Sequence, residues 1–162
     1  ISKLEINSDS ICWDIGCGTG SVSVEMALQC TDGKVYSIDK NPDAVNLTEL
    51  NSKKFMCDNI KIIHGDIMDF IENLETPDKV FIGGSSGKIS EILEVVYRKN
   101  PFADVIITAV SLETVNQSLK AFEAFGFLAE TVQIAVTKTR KIGSHTMLSA
   151  ENPVFIIKGV KN

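Results

Sequence analysis

Five short runs rich in aliphatic and β-branched residues recur along the chain, each followed by a stretch with helical spacing, and this alternation leaves few folds open. The runs are SICWDIG (10–16), KVYSID (34–39), IKIIHG (60–65), KVFIGG (79–84) and DVIITAV (104–110). Helical periods fill roughly 21–30, 42–55, 66–74, 87–98 and 111–125, several opening on Asp, Ser or Pro and the last closing on Gly126. Strands that alternate with helices build βαβ units, hence a parallel sheet covered on both faces. After Gly126 the rhythm changes. LAETVQIAVTKTRK and NPVFIIKGV read as two strands joined by a loop with no helix between them, a terminal hairpin that adds antiparallel pairing at the sheet edge. The expectation is an α/β fold with a mostly parallel seven-stranded sheet ending in that hairpin. With 162 residues, 44% of them hydrophobic, and no repeats or linker, the chain reads as one domain over 1–162 with one core. It opens on Ile1 with the first strand following almost at once, so an N-terminal segment is expected to be missing.

The first strand runs into the turn Gly16-Cys17-Gly18-Thr19-Gly20 and then into the helical pattern SVSVEMALQC. A dinucleotide site asks for G-x-G-x-x-G so that a pyrophosphate meets the helix N-terminus. Here the third glycine comes one residue early, and an acid, Asp14, precedes the turn. This G-x-G-x-G pattern resembles motif I of the Rossmann-like, class I S-adenosylmethionine-dependent methyltransferases, in which the backbone closes over the ribose and methionine parts of the cofactor. Glycine is expected there because a Cβ would block the cofactor. Two further strand ends agree. Asp39 closes the second strand nineteen residues after Gly20, where a carboxylate accepts from ribose hydroxyls. Asp66 follows the third strand, placed to accept from the adenine amino group while the Ile67 backbone reads the ring edge. The expected cofactor contacts are Gly16, Cys17, Gly18, Thr19, Gly20, Asp39, Asp66, Ile67 and Gly83.

Charge and missing motifs narrow the substrate. Sixteen basic against twenty-one acidic side chains give a net charge of −5, a field that repels polyanions. The fourth strand ends in IGGSSG (82–87), without the [DN]-P-P-[YF] motif of exocyclic-amine methyltransferases, and no proline precedes a cysteine as pyrimidine carbon-5 transfer requires. No nucleic-acid partner is therefore expected. Gly83 and Gly84 leave room beside the sulfonium for a bulky flat substrate, which Ser85 would also touch. Cysteines at 12, 17, 30 and 57 form no C-x-x-C pair, so reduced thiols, a cytoplasmic location and no metal site are expected. The longest apolar runs are of strand length, far short of the roughly 20 residues of a membrane span.

WDIGCGTGSVSVEMA (13–27), IGGSSG, AVSLET (109–114) and TRKIGSHTMLSAENPVFIIKG (139–159) together resemble the cobalt-precorrin-6B C15-methyltransferases (decarboxylating) of anaerobic cobalamin biosynthesis, over nearly the whole chain. The resemblance implies methylation of a meso carbon, C15, of a cobalt corrinoid, loss of carbon dioxide from the C12 acetate, and a homotetramer. It also raises a separate C5-methyltransferase as a partner. Methyl transfer to carbon is an in-line displacement for which proximity supplies about 7–11 kcal/mol, so positioning suffices and no catalytic base is assigned. Lys138, Arg140 and Lys141 form a local cation cluster in an acidic protein, in a segment (137–146) read as a loop. Arg140 and Lys141, with His145, are the expected contacts to substrate carboxylates; His64, within a strand, reads as structural. Two alternatives keep the fold: a methyltransferase acting on tRNA adenine N1 or on a protein carboxylate, and a non-catalytic cofactor-binding or NAD-binding module.

Overall fold

The structure is a computed structural model and describes residues 1–161. After a 3-10 turn at Ser2–Leu4 the chain runs β1 (Ile11–Ile15), α1 (Ser21–Gln29), β2 (Lys34–Asp39), α2 (Pro42–Lys54), β3 (Ile60–His64), α3 (Ile67–Phe70), β4 (Lys79–Ile82), α4 (Ile89–Lys99), β5 (Asp104–Ala109) and α5 (Leu112–Ala124). Four more strands follow: β6 (Leu128–Ile134), β7 (Thr137–Ile142), β8 (His145–Ala150) and β9 (Val154–Val160). Seven of the strands form one sheet in the order β3-β2-β1-β4-β5-β9-β6. The first five are parallel, and β9 pairs antiparallel with both β5 and β6. The doubly wound order reverses direction beside β1, between its neighbours β2 and β4, which opens a crevice at the carboxyl ends of these strands.

Strand alternation divides the core. On β1, Trp13 and Ile15 join α4 residues Ile89, Ile92, Leu93 and Val96 and α5 residue Phe122 on one face. Cys12 packs on the other face with Val24, Met26 and Ala27 of α1 and with Leu4. Both faces of the central strands β1, β4 and β5 are thus covered, which is why they read as mostly apolar runs, whereas the edge strand β3 exposes Lys61 and His64. Side chains close the helix starts: Asn41 accepts from the Asp43 N–H, Asp66 from the Met68 N–H and Ser111 from the Thr114 N–H. All four cysteines are buried and none forms a disulfide.

The C-terminal segment differs from the sequence reading in one respect. Residues 137–146 are not a loop: β7 and β8 form a separate two-stranded antiparallel ribbon from Thr137↔Ala150 to Ile142↔His145, closed by Gly143-Ser144 with Gly143 at φ +60°. A two-residue turn with glycine first suits the twist of a hairpin. The ribbon prolongs the β6/β9 pair. Between Ile134↔Val154 and Thr137↔Ala150, two residues on one strand oppose three on the other, and one of the three is Pro153, which has no N–H to give. That bulge breaks the ladder and separates the ribbon from the main sheet. The six-residue strands span about 20 Å, and every residue of both strands is exposed, on both faces.

Candidate active site

The glycine turn is held from behind by the protein itself. The Gly16 and Cys17 N–H groups both donate to the Ile38 carbonyl, at 2.8 and 3.2 Å. On α2, Thr48 Oγ1 donates to the Gly18 carbonyl (3.3 Å) and Asn51 Nδ2 to the Thr19 carbonyl (2.8 Å). The three glycines serve different ends. A Cβ on Gly16, at φ +73°, would lie 2.6 Å from the backbone of Gly84, and one on Gly20 would lie 2.6 Å from the Thr48 side chain. Those two are required by contacts within the chain, a reason for glycine that the turn pattern by itself does not supply. Only Gly18, at φ +56°, has nothing within 4 Å of where a Cβ would sit.

Asp39 faces this open side. Its Oδ2 accepts from the Gly18 N–H and its Oδ1 from the Asn41 N–H, both at 2.9 Å. Those two bonds fix the carboxylate plane and leave one lone pair on each oxygen. Asp66 caps α3 through its Oδ1 and accepts from Lys88 Nζ on Oδ2 at 2.7 Å. The Lys88 ammonium, helped by the Met68 N–H, holds the Asp66 carboxyl below the usual carboxylate range. Asp39, Lys40, Asp66, Ile67, Gly16, Gly84, Ile15 and Ile38 line a cleft of about 530 Å³ that is open to solvent. Its lining brings the Asp39 and Asp66 carboxylates to one cleft, acceptors that suit the hydroxyls and amino group of a nucleoside.

A second cleft, of about 490 Å³, lies across the loop Gly83-Gly84-Ser85-Ser86-Gly87 and is walled on its far side by Ile107–Val110 and Thr114. Gly84, Ser85 and Ser86 line both clefts, so this loop is their common partition. It is seated by the Gly83 and Gly84 N–H groups on the Ile15 carbonyl and tied across the first cleft by Lys40 Nζ donating to Ser86 Oγ at 2.8 Å. Gly83 is spent on packing, since a Cβ there would stand 3.0 Å from the Gly16 carbonyl oxygen, whereas Gly84 has ordinary clearance.

Beneath the turn, Asp14 is fully buried. Ser23 donates to its Oδ2 and shares a 2.7 Å bond with Ser37, while Oδ1 has no partner among the described residues. Burial raises the Asp14 carboxyl to about 6, against the opposing effect of the Ser23 hydrogen bond.

The structure thus brings Gly16, Asp39, Asp66, Ile67, Gly84 and Ser85 together at one crevice, with Gly83 on its second cleft. Cys17 is buried behind the turn with its Sγ 3.4 Å from Thr48 Oγ1, and Thr19 is exposed beside it. Arg140, Lys141 and His145 stand on the ribbon and line neither cleft. His64 is exposed at the end of β3, with Nε2 3.2 Å from the Lys40 carbonyl. Sequence reasoning missed Lys40, Thr48, Asn51 and Lys88. The first directly follows Asp39 and the last ends the IGGSSGK run, but nothing in the spacing marks either as facing Asp66.

Comparison with known proteins decides the family. The sequence model of the precorrin methyltransferase domain matches residues 1–161. The chain belongs to the precorrin methyltransferase family. A relative from Saccharolobus solfataricus, named a probable cobalt-precorrin-6B C(15)-methyltransferase (decarboxylating), is 41% identical over 166 residues, covering 99% of this chain and 83% of its own. A solved structure described as precorrin-6y C5,15-methyltransferase from Geobacter metallireducens superposes with a TM-score of 0.91 at 33% identity, over 99% of this chain and 84% of that one. Another, described as precorrin 8W decarboxylase from Methanobacterium thermoautotrophicum, gives 0.90 at 31% identity, over 98% and 85%.

This precorrin methyltransferase is therefore an enzyme with the Rossmann-like methyltransferase fold and S-adenosylmethionine as its cofactor. The residues present fit that cofactor: Gly18 leaves an open face that a Cβ would fill, Asp39 has lone pairs free for two hydroxyls, and Asp66 stands beside it in the same cleft. Among the described residues no helix is long and apolar enough to cross a membrane.

Proposed function

We propose that the chain methylates C15 of cobalt-precorrin-6B with loss of the C12 acetate carboxyl, within anaerobic cobalamin biosynthesis in the cytoplasm. The observation that carries this is the pair of clefts sharing the Gly84–Ser86 wall: one fits the cofactor, and the other offers a place for a large substrate beside it. The relatives' names supply the substrate. S-adenosylmethionine supplies an electrophilic methyl group. Asp39 holds the ribose hydroxyls, Asp66 and the Ile67 backbone hold the adenine edge, and the Gly16–Gly20 backbone leaves space for the methionine part. Gly83, Gly84 and Ser85 form the floor over which the macrocycle lies, so the chain orients the ring carbon and keeps water from the line of attack. The ring's own conjugation provides the electron pair. When carbon dioxide leaves the acetate arm, a proton takes its place and the arm becomes a methyl group.

The ribbon belongs to the same reading. Ile142, Met147 and Leu148 are 55%, 51% and 76% exposed on strands with no sheet behind them, which suits burial against other copies in a homotetramer. In that assembly Arg140, Lys141 and His145 contact substrate carboxylates. A separate C5-methyltransferase is proposed as the partner that completes the methylation pattern. Incubation with cobalt-precorrin-6B and labelled S-adenosylmethionine tests the activity by product mass. A product one methyl group heavier and one carbon dioxide lighter is expected; methylation without that loss refutes the decarboxylating step, and no label transfer refutes the substrate.

A further inference from the structure

Lysine is a poor choice for the residue that opens a helix, because its charge sits at the positive end of the helix dipole and its side chain cannot accept from the free N–H groups. Lys88 nevertheless opens α4, and no side chain caps that end. Its ammonium instead reaches across the crevice to Asp66 at 2.7 Å. Lys40 approaches from the opposite wall and donates to Ser86 at 2.8 Å, and its charge also acts on Asp66. Both lysines therefore lie along the Gly84–Ser86 partition where the two clefts meet. Each ammonium carries three donors and has one hydrogen-bond partner among the described residues. The acidic residues at this rim, Asp39 and Asp66, are balanced by these two cations before any ligand arrives, and a cofactor with a sulfonium adds positive charge.

Resting on the corrinoid reading above, we propose that Lys40 and Lys88 together recognise a carboxylate arm of the substrate at the junction of the two clefts. The ribbon cations line neither cleft and, among the described residues, bond to none that does, whereas Lys40 lines the first, and Lys88, though it lines neither, bonds through its ammonium to Asp66 of the first cleft and through its N–H to the Ser85 carbonyl shared by both. A substrate carboxylate that draws on the spare donors of both ammonium groups is held by two charge-assisted hydrogen bonds from opposite walls. This orients the macrocycle in its plane, a task that the Gly83–Ser85 floor alone leaves undone.

The test separates carboxylate recognition from simple bracing of the loop. A stable cobalt corrinoid with free side-chain carboxylates and its fully esterified form are titrated against the cofactor-loaded protein, and the ratio of the two dissociation constants is read. The wild type is expected to prefer the acid by about tenfold or more, the Lys40→Met/Lys88→Met variant to lose most of that preference, and Lys40→Arg/Lys88→Arg to retain it. Loss of loop bracing alone weakens acid and ester equally and leaves the ratio intact. An unchanged ratio in the Met variant, or equal binding of acid and ester by the wild type, overturns the proposal. If the wild type binds S-adenosylmethionine but neither corrinoid, the corrinoid reading itself falls, and this proposal with it.

Discussion

Replacing Asp14 by Asn probes the charge buried beneath the glycine turn. The side chain is fully buried, one oxygen has no partner among the described residues, and burial raises its carboxyl from 3.8 to about 6. A carboxyl whose folded value lies above its unfolded one binds its proton more tightly when folded. Ionisation of Asp14 therefore costs stability at a pH above both values, and the cost fades as pH falls through 6 towards 4. Integrating between those two values, the wild type gains about 2 kcal/mol relative to Asp14→Asn on going from pH 8 to pH 4.5, since Asn does not titrate. The change across pH is the quantity to measure, because an Asn amide on the orphaned side adds a constant penalty of about 1–3 kcal/mol for an unmade hydrogen bond. Urea denaturation of both proteins without cofactor at pH 4.5, 6 and 8 gives the three differences, and charge effects elsewhere in this acidic chain cancel between them. A difference in stability that stays constant with pH, or one that moves in favour of the wild type as pH rises, refutes the assignment of a buried, easily protonated carboxyl.

Asp39→Ala is expected to weaken S-adenosylmethionine binding by about 1.5–3 kcal/mol by calorimetry while the fold survives, since two hydroxyl donors lose a charged acceptor; wild-type affinity in the variant removes the ribose assignment. Gly16→Ala forces a Cβ against the Gly84 backbone at 2.6 Å and is expected to destabilise the protein by more than Gly18→Ala. The latter meets open space and pays only about 1–2 kcal/mol for its left-handed backbone, so equal thermal shifts contradict this division of roles. Arg140→Ala is expected to lower kcat/KM for the corrinoid by about tenfold or more with cofactor affinity unchanged, and equal turnover by both proteins removes Arg140 from the substrate site. Sedimentation at micromolar concentration is expected to show an oligomer, and a lone monomer would leave the exposed Ile142, Met147 and Leu148 without the proposed partner.

The order of the elements and the location of the crevice were legible because both depend on local patterns. A strand buried on both faces is mostly apolar, so the central parallel strands announced themselves and the edge strand β3 followed from its β-branched run, while the Gly16–Gly20 turn marked the first strand as the start of a candidate cofactor site. Asp39 and Asp66 were legible for the same reason: the end of a parallel strand is a fixed place in this fold. The ribbon carried a local signal too, Gly143-Ser144 between TKTRKI and HTMLSA, but its strands alternate without an apolar face, and a ladder that buries nothing leaves little trace in hydrophobic pattern.

Sequence alone thus determined that the chain winds a mostly parallel sheet and which strand ends line its crevice, because spacing along a strand or turn is a property of neighbouring residues. Only the tertiary structure decided that Gly16 is a glycine for the sake of Gly84 and Gly20 for the sake of Thr48, contacts spanning 68 and 28 residues. It also decided that Lys88 faces Asp66, while Arg140 stands outside both clefts. Those relations depend on which crossover brings two distant loops to the same edge of the sheet, and no local spacing encodes that meeting.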